Sequence, residues 1–171
     1  MERNTTKDSV KISEKFKFRL LKILDDYGYE KGELSEGADV CESVMTRMTV
    51  YGIVPTTPIL VKLADFLKLS MEYLLGESDD KTINESTNPT EFYIRLEELK
   101  SERKTKYSKI AKIVNFPNSY FYDWIRRKTL PSVQFLIPIS KYFQVNLDYL
   151  IGRSDERKMK CEFPDYPLLK F

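Results

Sequence analysis

The ten residues LDYLIGRSDE, Leu147 to Glu156, echo MEYLLGESDD, Met71 to Asp80, at an offset of 76 residues. The offset holds upstream without a gap for about 65 positions, long enough for a whole small domain rather than a solenoid unit. Phe16, Arg19 and Leu20 fall on Phe92, Arg95 and Leu96; Ser43 falls on Ser119; Pro55 and Leu60 fall on Pro131 and Leu136. Apolar character persists where identity fails, as in Leu34 with Ile110, Val40 with Phe116, Met45 with Phe121, Met48 with Trp124 and Leu69 with Val145. The repeat predicts two copies of one fold.

Each copy reads as five short helices, and the second shows them more clearly. Asn88-Pro89-Thr90-Glu91 offers an N-cap, a proline at the first helical position and a first-turn carboxylate, ahead of Phe92, Leu96 and Leu99 at helical spacing. A second helix runs from Lys106 to Val114 and stops at Asn115, a residue that tolerates the left-handed conformation. The third, Asn118 to Arg127, is amphipathic, with Phe121 and Trp124 on its apolar face. Ser132 caps a fourth helix to Phe143, in which Pro138 removes one backbone hydrogen bond and introduces a bend. Asn146 and Gly152 bracket a final helical turn, as Ser70 and Gly76 do in the first copy. β-Branched residues sit singly within helical periods, so the fold class is all-α.

The expected organisation is a first domain at residues 13–78, a linker at 79–88, a second domain at 89–156 and a C-terminal tail at 157–171. The polar stretch Glu77 to Asn88 reads as a linker or a loosely ordered connector; as a flexible coil of about 12 residues it would span on the order of 20 Å. Phe163, Tyr166, Leu168, Leu169 and Phe171 give the tail enough apolar surface to dock on a domain.

Composition narrows the chemistry. The 171 residues contain no histidine, which removes the histidine-based nucleophile systems and the commonest metal ligand. Cys41 and Cys161 lie 120 positions apart without metal-ligand spacing and read as reduced thiols. Gly32 and Gly37 have phosphate-loop spacing, but Ala38 stands where the lysine belongs. Ser101 and Lys104 form an S-x-x-K pair without companion motifs. The chain is therefore expected to be no enzyme and to use no cofactor or metal. Met1 to Lys15 is charged throughout, and the 14 uncharged residues from Met48 to Val61 are broken by Pro55 and Pro58, so neither a secretory signal nor a membrane span is expected. The expected location is cytoplasmic.

Two short helices joined by a tight turn inside a five-helix unit make a helix-turn-helix pattern. In the second copy, RLEELKSER, YSKIAKIVN, FPNSYFYDWIRRKTLPS and ISKYFQVNLDYLIG follow one another without a gap. Ala111 is small where the second and third helices cross, Asn115 holds the turn, and Trp124 precedes Arg126-Arg127-Lys128 by one residue. In these features the copy resembles the xenobiotic-response-element family of helix-turn-helix domains, of the lambda repressor and Cro type. The resemblance covers about 60 residues there and extends more weakly, through the repeat, to the first copy.

The resemblance implies a bacterial or phage transcription regulator whose third helix enters the DNA major groove. Asn118, Ser119, Tyr120 and Tyr122 would then read base edges, while Lys106, Tyr107, Arg126, Arg127 and Lys128 would hold phosphates. Tyr73 and Tyr149 fall where family members often make dimer contacts, which leaves packing within the chain or self-association as their two expected uses. Charge separates the copies: residues 16–80 hold 7 basic against 12 acidic residues, net −5, and residues 92–156 hold 12 against 7, net +5. Glu33, Glu36, Asp39 and Glu42 surround the first motif and would repel DNA, which leaves that copy for assembly, as a homodimer or with a protein partner. The rival reading is an adaptor, antirepressor-like or antitoxin-like, that works through the degenerate first copy.

Overall fold

The computed structural model describes residues 11–158. Among them the fold is all-α, with helices α1 (Glu14–Tyr27), α2 (Lys31–Gly37), α3 (Glu42–Tyr51), α4 (Thr57–Leu67), α5 (Met71–Leu74), α6 (Phe92–Glu102), α7 (Tyr107–Val114), α8 (Ser119–Arg127), α9 (Val133–Phe143) and α10 (Leu147–Leu150). The offset of 76 carries α4 onto α9 and α5 onto α10 to the residue. It also pairs core positions: Phe16 with Phe92, Leu20 with Leu96, Leu34 with Ile110, Met45 with Phe121, Leu60 with Leu136 and Leu74 with Leu150 are all buried. The expected apolar tail contacts and Cys161 lie outside the described residues.

Local chemistry explains the helix ends. Ser70 and Asn146 accept hydrogen bonds from the Tyr73 and Tyr149 amides at the starts of α5 and α10. Gly76 and Gly152 then take left-handed φ angles of 75° and 82°, which glycine adopts without side-chain conflict. Asn115 ends α7 at φ 60° and ψ 49°. Pro138 lies inside an uninterrupted α9 whose length equals that of α4.

Two expectations are corrected. Helix α6 begins at Phe92 with Glu91 as its N-cap, so Asn88-Pro89-Thr90 is non-helical chain leading into the helix. Thr90 instead donates its amide to the Gly152 carbonyl, tying that approach to the end of α10. The connector is also no free coil. Lys81 accepts from the Ser70 amide, Glu85 pairs with Lys68 at 2.7 Å, the Ser86 amide donates to Arg153, and the Asn84 amide group donates to Glu156. These bonds engage both halves of the chain, which removes the freedom a polar composition alone predicts.

The halves meet through α5 and α10 by a reciprocal exchange. The Asp148 carboxylate accepts the Met71 amide at 3.0 Å, and the Glu72 carboxylate accepts the Leu147 amide. Each short helix thus has its first amide satisfied by the acid of the other, and both acids are nearly fully buried. Arg153 pairs with Asp148 of its own half and reaches across the same seam to Asp65 at 2.8 Å and to the Leu69 carbonyl. Thr57 adds a 2.6 Å bond from its hydroxyl to the Pro131 carbonyl.

Candidate nucleic-acid interface

Helices α7 and α8 are joined by residues 115–118 and share one core. Tyr107, Ile110 and Ala111 of α7 and Phe121 of α8 are buried, and the Tyr107 and Phe121 rings stack at 4.9 Å. The opposite faces are wet. Ser108, Lys109 and Lys112 on α7 and Ser119, Tyr122, Arg126 and Arg127 on α8 are exposed, and Lys106 and Lys128 are exposed at their ends. Ser119, Tyr122 and Arg126 are spaced by three and four residues and so form one stripe along α8.

Among the expected base readers the structure separates two pairs. Ser119 and Tyr122 are exposed, with Tyr122 standing edge-on over Tyr107. Tyr120 is half-buried, its ring packed among Phe116, Trp124 and Phe135. Asn118 is half-buried too, and its side-chain oxygen is shielded from solvent without a hydrogen-bond partner among the described residues. Asn118 also lines an open depression together with Ser108, Lys112, Asn115 and Pro117.

Of the expected phosphate set, Lys106, Arg126, Arg127 and Lys128 point into solvent. Arg126 pairs with Asp123 at 2.7 Å, but both side chains are largely exposed. A pair of that kind contributes about 0–1 kcal/mol and yields readily to a competing anion. Lys128 takes a left-handed conformation that ends α8, its ammonium 5.5 Å from the Tyr93 ring centre.

Tyr107 is a correction. Its ring is 5 % exposed, its hydroxyl donates to the Glu97 carboxylate, and the Lys100 ammonium sits 4.4 Å from the ring centre. Burial, followed by the bond to Glu97, raises its pKa well above the ordinary phenol value. Burial pushes Glu97 up as well, but hydrogen bonds from Lys100 and Tyr107 outweigh it and hold the acid below the usual carboxylate range. The hydroxyl is committed within the core edge rather than offered to a phosphate.

Tyr73 and Tyr149, expected either to pack within the chain or to make dimer contacts, are used inside the chain. Arg19 lies 4.1 Å from the Tyr73 ring centre and pairs with Asp79; Arg95 lies 4.1 Å from the Tyr149 ring centre and pairs with Asp155. Both rings are buried by these repeated clusters.

Sequence reading passed over Lys109 and Lys112, which add two exposed cations on α7; the net charge of the second copy was their only signal. The equivalent face of the first half is different in kind. Glu30, Glu33, Glu36, Asp39 and Glu42 are exposed around α2 and α3, and Val50 and Tyr51 are exposed where the second half has Arg126 and Arg127. Among the described residues no helix is long and apolar enough to cross a membrane, and no acid or cysteine cluster is arranged to hold a metal ion. No family model, curated protein or solved structure matches the chain significantly.

Proposed function

We propose that the chain is a sequence-specific, repressor-like regulator of transcription, of the xenobiotic-response-element type, that binds double-stranded DNA in the cytoplasm through α7 and α8. The observation that carries this reading is the exposed stripe of Ser119, Tyr122 and Arg126 on α8, flanked by Lys106, Arg127 and Lys128 and backed by an aromatic core. A rigid helix bearing short polar and aromatic groups suits the major groove, and the flanking cations suit phosphates on either side. Ser119 and Tyr122 are the principal base readers, while Asn118 takes part after its side chain turns outward. The first half, acidic on the corresponding face, supports the second and meets protein partners.

The test is fluorescence anisotropy of the full chain with a random duplex pool at two salt concentrations. Binding should weaken steeply with salt. Replacing Arg126, Arg127 and Lys128 together by glutamine should flatten the log–log salt slope by about 2 to 3, since each phosphate contact contributes about 0.9. No binding at low salt, or a triple variant that binds like the parent, overturns the reading. The adaptor reading draws on the exposed Val50 and Tyr51 beside the acids of α2 and α3; it predicts partner capture that survives the triple substitution.

A further inference from the structure

The repeat shows a volume that one half fills and the other leaves open. In the second half, Tyr120, Trp124 and Phe135 pack together at tilted and edge-on angles, with ring centres 5.3–5.9 Å apart. The equivalent residues of the first half are Val44, Met48 and Ile59, and they line a cleft of about 340 Å³. The cleft is mainly apolar, with a few polar residues in its lining. Arg47, exposed, is one of them and forms no ion pair among the described residues. Ser132, the N-cap of α9, lines the cleft from the other half of the chain together with Val133 and Gln134. Lys11 adds a second cation to the rim.

We propose that this cleft binds a small aromatic carboxylic acid. The ring occupies the space that aromatic side chains occupy in the second half, against Val44 and Ile59. The carboxylate meets the Arg47 guanidinium, which can offer it two parallel N–H donors. The volume lies at the lower end of small-ligand pockets, which favours a single ring with a short acid arm over a larger cofactor. Because the lining comes from α3, α4 and the start of α9, the bound acid bridges both halves and stabilises their docking. This assignment stands on the cleft alone and is independent of DNA binding.

The experiment uses the full chain labelled at isoleucine δ1-methyl groups, with the Ile59 signal identified by Ile59→Val. Titration with 3-phenylpropionate should shift that signal saturably, and the neutral 3-phenylpropanol should bind about tenfold more weakly, as loss of a charge-assisted pair implies. Arg47→Gln should bring the acid down to the affinity of the alcohol while leaving the alcohol unchanged. Ile59→Phe, which installs the second half's residue, should abolish binding of both, read by saturation transfer to the ligand, with an unchanged circular dichroism spectrum and melting curve. No Ile59 shift up to about 20 mM acid, a generous limit for so small a probe, overturns the proposal. Equal binding of acid and alcohol, or retained binding in Ile59→Phe, overturns it as well.

Discussion

Asp148 and Glu72 show how far a residue's role depends on what the chain brings beside it. In sequence each is one acid inside the apolar runs MEYLL and LDYLI, indistinguishable from a solvated charge. In the structure each accepts the first amide of the opposite short helix, a role no local pattern announces because its partner lies 77 or 75 positions away. Asp148→Ala should cost about 3 kcal/mol, since it leaves the Met71 amide without its acceptor and removes one of the two acids facing Arg153; urea denaturation reads this directly. Tyr107 teaches the same lesson from the other side. Its position at the start of α7 suggested a phosphate contact, but Phe121 and Glu97 claim its ring and hydroxyl. Tyr107→Phe should therefore lower stability by about 1 kcal/mol for the lost hydrogen bond and leave DNA affinity unchanged within error.

Among elements, those bounded by local chemistry were legible and those bounded by distant contacts were not. Ser70, Asn146, Asn115 and the closing glycines act on their own helices, and the structure uses them as their types suggest. Asn88-Pro89 has the form of a helix start, yet the chain there answers to Gly152, whose carbonyl holds the Thr90 amide and delays α6 to Phe92. A methyl group at Gly152 would run into the Thr90 carbonyl at a position whose φ is already 82°. Gly152→Ala should lower stability by about 3 kcal/mol, through steric conflict and backbone strain together, and thermal melts should register it. The connector failed for a related reason: its polar side chains suggested freedom, whereas they are the groups that bond to Lys68, Glu156 and Asp155. Within the candidate interface, the amphipathic period of α8 was readable, but the inward packing of Tyr120 depended on Phe135, a residue of another helix.

For the molecule as a whole, charge is the property most clearly carried from sequence to structure. The net of −5 in the first copy and +5 in the second become opposed exposed surfaces around α2–α3 and α7–α8. Ion pairs also bind distant segments. Asp79 with Arg19, Glu85 with Lys68, and Glu102 with Arg157 all hold their carboxyl groups below the usual range through hydrogen bonds from the paired cations. A carboxylate with a lowered folded-state pKa stabilises the fold above its unfolded value, and the contribution disappears as pH falls through the folded value. Melting temperature should thus be steady from neutrality to about pH 5 and decline below about pH 4, with added salt weakening the trend because these acids are exposed.

The exchange of acids between α5 and α10 also bears on dose. Two separate molecules joined through such a seam would come apart on dilution, and anything requiring the pair would vary with the square of protein concentration when pairs are scarce. Here the peptide chain keeps the two surfaces at a high local concentration that dilution does not change. Occupancy of a target by this protein should rise in direct proportion to the amount of chain at low coverage, with a Hill coefficient near one, so a cell could set it by small adjustments in synthesis rather than by crossing a threshold.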